Sequence, residues 1–275
     1  MLKLVAPLLL DMARAARAVS VPKFRTGLIT ELKKDKTPVS AIDRATEERL
    51  REFVPQAEKL LGASVGFRGE EFPTLNPDAE FLFVVDPIDG TKPYLLGRSE
   101  WFTLIGLYQK GAGFVAGLCD QPDVDRAHYA AKGEGAWMLD RKNLDIAQVV
   151  RLPKAPEKPL DESILLSFDP LMMPPYAYGL YEKLYKQVMY AVPGGDAGNY
   201  VRLAEGTGQI VLESVGGIYD LVALTPLVTE TGGTLVCLNP DGTTFAPDMN
   251  FHPRFPVLST SSPALLDAVL KIYAA

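Results

Sequence analysis

In the run Phe81-Leu82-Phe83-Val84-Val85-Asp86-Pro87-Ile88-Asp89-Gly90-Thr91, five consecutive apolar residues lead straight into two carboxylates and a glycine turn. Residues so rich in β-branched and aromatic types read as a strand buried on both faces. Pro87 then denies the ladder a donor and predicts the strand's end, which leaves the carboxylates at its C-terminal tip. On a continuing strand Asp86 and Asp89 would point apart; a helical turn after Pro87 would bring them to one side. Gly90 and Thr91 could then offer backbone N–H groups to an anion. Two carboxylates held together repel unless a cation sits between them, and hard oxygen donors suit Mg²⁺, which also accepts phosphate oxygens. The plain alternative is a capped turn with solvated aspartates.

More acid lies within reach. Gly69-Glu70-Glu71 stands upstream, and the short link through Thr74-Leu75-Asn76-Pro77 lets it fold back toward Asp86. A solvated loop is the other reading, and it holds for Glu71. Asp220 follows Gly216-Gly217-Ile218-Tyr219 and precedes apolar residues at helical spacing through Leu221, Leu224 and Val228, closed by Gly232-Gly233. Helix capping is the ordinary role of such an aspartate. Pro226 inside that pattern predicts a kink. Lys36-Thr37-Pro38-Val39-Ser40-Ala41-Ile42-Asp43 enters a charged helix through a turn, and Asp43 is again a cap by default.

In this order and separation, TPVSAID (37–43), GEE (69–71), DPIDGT (86–91) and IYDLVAL (218–224) resemble the inositol monophosphatase superfamily of metal-dependent phosphatases over nearly the whole chain. The resemblance implies a mixed fold, α+β and then α/β, layered as an αβαβα sandwich. It implies that Glu70, Asp86 and the Ile88 carbonyl hold one Mg²⁺, and that Asp86, Asp89 and Asp220 hold a second, two or three ions binding in all. It further implies that a water near Thr91 attacks phosphorus, with Asp43 bonded to the Thr91 hydroxyl and Glu70 helping to take the proton. Gly90 and Thr91 would bind phosphate through their N–H groups. Such a scheme suits phosphoryl transfer, which asks for positioning and charge neutralisation. His128 and His252, the only histidines, lie in no motif.

Within the superfamily the chain is most similar to the histidinol-phosphate phosphatase branch, through Asp120-Gln121-Pro122, Gly194-Gly195-Asp196 and Ala223-Leu224-Thr225-Pro226-Leu227. Val192-Pro193 stands where that branch often has a basic residue, and Met172-Met173-Pro174-Pro175 has no counterpart. Gly195, Asp196 and Glu213 are the candidate substrate residues: Asp196 opens a helix and Glu213 ends the run Gln209-Ile210-Val211-Leu212. Their alternatives are an N-cap and a solvated strand end. Facing the metals, they would pair with the amine of histidinol phosphate or accept hydrogen bonds from an inositol ring. A phosphorylated adenine nucleotide is a third possible substrate, and a phosphate-binding protein without turnover is the non-enzymatic alternative. The resemblance also implies a homodimer and sensitivity to Li⁺.

At 275 residues the natural expectation is one compact catalytic unit of two subdomains. The three prolines of Leu152–Pro159 suggest a boundary between 1–152, carrying Asp43, GEE and DPIDGT, and 153–275, carrying GGD and Asp220. A net charge of -6 without a basic stripe argues against a nucleic-acid surface. Cys119 and Cys237 form no C-x-x-C pair, which fits a reduced cytoplasmic protein with two buried thiols. Leu2–Leu10 is apolar, but Asp11, Arg14 and Arg17 follow on a helical rhythm, so it reads as an amphipathic first helix, and no membrane span is expected. Two helical patterns end near Pro55, and strands are expected at 81–85, 103–108, 114–118 and 127–131. Beyond 159 the reading is strand 163–167, helix 176–191, helix 197–204, strand 209–213, helix 220–231, strand 256–259 and a last helix after Pro263. Tyr176, Tyr178, Tyr181, Tyr185 and Tyr190 are expected to pack with polar tips outward, and to be the first place to seek a dimer contact.

Overall fold

The computed structural model describes residues 2–26, 30–32, 38–140, 149–253 and 255–274. Lys36 and Thr37, where the turn before Asp43 is expected, lie outside them. Pro38–Ser40 pairs antiparallel with Thr30–Leu32 and runs directly into helix Ala41–Arg51.

Alternation along Phe81–Asp89 explains the layering. Phe81, Phe83 and Val85 enter one core with Val5, Leu9 and Met12 of helix Leu2–Ser20, Leu50 of helix Ala41–Arg51 and Val54 of helix Val54–Leu61. Leu82 and Val84 enter a second core with Tyr200 and Leu203 of helix Ala197–Ala204, Val222 of Tyr219–Val222 and Leu224 of Leu224–Glu230. Side chains two apart on a strand share a face, so an unbroken apolar run demands a helical layer on each side. A third core lies beyond the second sheet, where Leu165, Ile210 and Leu258 meet Leu180 of helix Pro175–Tyr185 and Val269 of helix Pro263–Ala274. The result is the αβαβα sandwich expected from the motifs.

The first sheet has seven strands in chain order: Val65–Gly69, Phe81–Asp89, Phe102–Gln109, Gly113–Gln121, Arg126–Ala131, Gly135–Asp140 and Val149–Arg151. Its first pair is parallel and the rest antiparallel. The second has the order Tyr190–Pro193, Ile164–Ser167, Ile210–Glu213, Val257–Thr260, Thr234–Leu238, Thr244–Phe245.

Two expectations need correction, and the kink predicted from Pro226 is present. Pro87 does not end its strand, which continues to Asp89. The helix expected over 176–191 stops at Tyr185, and Tyr190 begins an edge strand paired with Ile164, so the tyrosines do not share one element. The helix over 220–231 breaks at Ala223 into two pieces. Pro226 has no N–H and crowds the carbonyl four residues back, so the kink appears one turn upstream of the proline.

Helix Leu2–Ser20 is amphipathic as expected: Val5, Leu9, Met12 and Ala16 are buried while Asp11 and Arg14 are exposed. Among the described residues no helix is long and apolar enough to cross a membrane. Cys119 and Cys237 are free, buried thiols.

Candidate active site

Between Asp86 and Asp89 the ladder slips: Asp86 pairs with Leu104 and Asp89 with Phe102, so three steps on one strand face two on the other. A one-residue bulge reverses the alternation and turns a pair that should point apart onto the same side. Pro87 is tolerated there because a bulge leaves a residue out of the ladder. Its carbonyl accepts from the Thr103 hydroxyl at 2.9 Å, and Asp86 Oδ1 accepts from the Ile88 N–H at 2.9 Å. The strand thus delivers both aspartates to the central helical layer by a bulge rather than by a helical turn. The helix begins later, at Thr91, after Gly90 has taken a left-handed conformation at φ 75°.

Asp220 meets them from above. Carboxylate oxygens of Asp86, Asp89 and Asp220 all lie within 4.8 Å of one another. One Asp220 oxygen accepts from the Gly217 N–H at 2.9 Å, in the turn before the helix; Ile218 is the N-cap and the helix has no side-chain cap, so the ordinary capping role does not apply. The sheet lets the helix pair come this close because Gly106 and Gly117 lack side chains. A Cβ on Gly117 would collide with the Ala223 carbonyl, and one on Gly106 with Val222.

Glu70, Asp86, Ile88, Gly90, Thr91, Asp196 and Asp220 line one cleft, with Lys92, Phe168, Met172 and Tyr219. The Thr91 hydroxyl donates to the Ile88 carbonyl at 3.1 Å. Asp43 is buried beneath the cleft, close enough to act on Asp86 and Tyr94. Asp89, Asp196, Glu213 and Asp220 line an adjoining cavity of about 710 Å³. Gly195 lines neither; it sits at φ 112° on a separate cleft with Arg98 and Arg202.

Asp196 stands at the N-cap of helix Ala197–Ala204, at φ 41°, but makes no side-chain cap. Asp89 does that work instead, accepting from the Ala197 N–H at 3.0 Å. The buried Oδ2 of Asp196 is left without a hydrogen-bond partner. Glu213, far from being solvated, is buried, with Oε2 accepting from the Phe168 N–H at 2.9 Å and from Asn199 Nδ2 at 3.2 Å.

Burial and mutual repulsion set the electrostatics. Burial, followed by the charges of Glu70, Asp89, Asp220 and Asp43, pushes the Asp86 carboxyl well above the usual range. Burial, Asp196 and Asp220 do the same to Asp89, against the Ala197 N–H. Asp196 is pushed up to about 7 by burial and Asp220, and Glu213 to about 8 by burial against the hydrogen bonds from Asn199 and Phe168. A cation among the oxygens of Asp86, Asp89 and Asp220 would relieve their mutual repulsion. The donor set, all carboxylate and carbonyl oxygen, fits a hard divalent ion.

Sequence reasoning missed Glu47. Its buried carboxylate accepts from Arg51 Nη2 at 2.7 Å and from the Glu71 N–H at 2.7 Å, fixing the loop that carries Glu70. Gly69 is the signal, since a Cβ there would strike the Glu47 carboxylate.

The sequence pattern of the Inositol monophosphatase family matches residues 2–260. The chain belongs to the inositol monophosphatase family. It is therefore a phosphatase, of a family acting on small phosphorylated substrates. A histidinol-phosphatase of Mycobacterium tuberculosis is 32% identical over 241 residues, covering 84% of this chain and 87% of that protein. A histidinol-phosphatase of Streptomyces coelicolor is 31% identical over 236 residues, covering 83% of this chain and 84% of that protein. Among solved structures, an inositol monophosphatase from Zymomonas mobilis aligns with a TM-score of 0.78 and 26% identity, covering 96% of this chain and 95% of the other.

Proposed function

We propose that this member of the inositol monophosphatase family is a Mg²⁺-dependent phosphatase that hydrolyses histidinol phosphate to histidinol and phosphate. The observation that carries the choice of substrate is the cavity beside the three clustered aspartates. Asp196 and Glu213 bring it carboxyl groups whose protons burial holds up to about 7 and about 8 and which a cation would ionise by pairing with them, Phe168, Met172, Met173 and Pro174 give it an apolar wall, and no basic side chain is among its described lining residues. A flat imidazole with a cationic amine uses both the wall and the carboxylates. A ring carrying only hydroxyls leaves the wall unused.

In this reading Glu70, Asp86 and the Ile88 carbonyl would hold one ion, and Asp86, Asp89 and Asp220 would hold a second. Bound there, the ions supply charge neutralisation for the attacking and leaving oxygens. The N–H groups of Gly90 and Thr91 hold the phosphate, the Thr91 hydroxyl orients the attacking water, and Asp43 fixes the position of Thr91. Glu70 takes the water's proton as the new P–O bond forms. The ester P–O bond breaks in line, and the leaving alkoxide gains a proton on release.

The site draws Glu70, Asp86 and Asp89 from 1–152 and Asp196, Glu213 and Asp220 from 153–275, so both proposed subdomains form one catalytic unit. The outward-facing Tyr185, Met189, Tyr190 and Val192 support a homodimer.

Phosphate release from a panel of monoesters tests the substrate. Histidinol phosphate is expected to be turned over most efficiently. Turnover of inositol phosphate or of a phosphorylated adenine nucleotide, with none of histidinol phosphate, overturns the choice.

A further inference from the structure

Lys92 follows Thr91 on the first turn of helix Thr91–Leu95. It is the one basic side chain among the described residues lining the cleft that holds Glu70, Asp86, Thr91, Asp196 and Asp220. The side chain is exposed, so it fills no core. Its ammonium lies 5.5 Å from the centroid of the Phe168 ring, a weak cation–π perch at an exposed site. Phe168 is itself anchored, since its N–H is bonded to buried Glu213. The perch is thus fixed beside the substrate cavity, while the lysine that uses it is free to swing.

A phosphate monoester brings negative charge into a cleft already rich in carboxylates. Of the described groups lining it, only Lys92 carries a positive charge, and it extends from the same helix end as the Gly90 and Thr91 N–H groups. A lysine ammonium is a compact point charge with three donors on a flexible stem, well matched to a tetrahedral oxyanion.

We propose that Lys92 is a substrate-binding residue, which leaves the Phe168 ring when the monoester arrives and pairs with its phosphate oxygens. The inference rests on phosphatase activity and not on the identity of the leaving group. The competing role is local: Lys92 would only offset the charge of Asp196 and never touch phosphate.

Inorganic phosphate as a competitive inhibitor separates the two, assayed in Mg²⁺ with whichever monoester the enzyme turns over fastest. In K92M the KM and the phosphate inhibition constant should rise together, by roughly tenfold, the effect of losing one good charge-assisted hydrogen bond. The kcat should change much less. K92R, which keeps the charge, should recover most of the affinity, and K92Q should behave like K92M. The wild-type KM should also climb with added salt more steeply than that of K92M, because the pairing at an exposed site is screened. A phosphate inhibition constant in K92M and K92Q equal to wild type overturns the proposal, whatever happens to kcat. Failure to turn over histidinol phosphate would leave this test intact and bear only on the leaving group.

Discussion

The Asp89 carboxylate accepts a hydrogen bond from the Ala197 N–H at 3.0 Å, so one side chain serves both the acidic cluster and the start of a helix more than a hundred residues away. The two duties have different chemical needs. The helix needs an acceptor, which an amide oxygen also provides, whereas a divalent ion needs the negative charge. Asp89→Asn should therefore lower kcat roughly a thousandfold, as expected for losing a few kcal/mol of charge stabilisation in the transition state. Its unfolding free energy should change by about 1 kcal/mol or less, because Asn and Asp cap helices about equally well. Urea unfolding alongside phosphate release checks both halves, and wild-type turnover would remove Asp89 from the ligand set.

Gly117 and Ala223 test how the central helices are seated. With no side chain on Gly117, the break at Ala223 rests directly on the first sheet, and Asp220 descends to the level of Asp86. Gly117→Ala should cost about 1–3 kcal/mol of stability, the usual price of overpacking a filled core. Because the helix must lift rather than the strand, turnover should fall as well. A variant as stable and active as wild type would show that the contact is not what sets the height of Asp220.

The motif DPIDGT announced an acidic cluster in the sequence, and the apolar run before it announced a doubly covered strand. What the sequence hid was how Asp86 and Asp89 come together. Both a helical turn and a bulge bring residues three apart to one side, and Pro87 is compatible with either. Asp220 was legible as a helix-start aspartate but not as a neighbour of Asp86, since that proximity depends on glycines in distant strands. Asp196 misled by position: it sits where a cap should, while the capping oxygen comes from Asp89. Tyr190 was drawn into the preceding helix because tyrosines at helical spacing continue past Tyr185, and only its pairing with Ile164 makes it a strand. Glu47 looked like one more charge on a solvated helix.

Glu213 gives a pH signature in the metal-free protein. Burial holds its proton up to about 8 in the folded chain, against 4.5 for the ordinary carboxyl. Between those values the folded state binds more protons than the unfolded state, so stability falls as pH rises. The contribution is whole below about 4.5 and lost above about 8. Asp196, raised to about 7, acts in the same direction. With chelator present, wild-type stability should fall between pH 5 and 8 with a slope that Glu213→Gln makes shallower by roughly 1 kcal/mol per pH unit. The Gln oxygen can still accept from Phe168 and Asn199, so packing is preserved. Equal slopes in denaturant titrations of the two proteins would mean that Glu213 is ionised in the folded state.

Metal removal probes the cluster directly. Carboxylate oxygens of Asp86, Asp89 and Asp220 lie within 4.8 Å of one another, and the three side chains accept from the backbone N–H groups of Ile88, Ala197 and Gly217. Chelation should abolish turnover, and Mg²⁺ added back should restore it. Thermal unfolding supplies a readout that does not depend on catalysis. An ion that binds only the folded state adds about 3 kcal/mol of stability at a hundredfold excess over its dissociation constant, so melting should shift upward with Mg²⁺ in wild type. Because the ion would draw on the charge of Asp220, Asp220→Asn should show a smaller shift than wild type at every concentration. Full activity in excess chelator, or a melting temperature that ignores Mg²⁺, would mean that the carboxylates gather for a reason other than holding a cation.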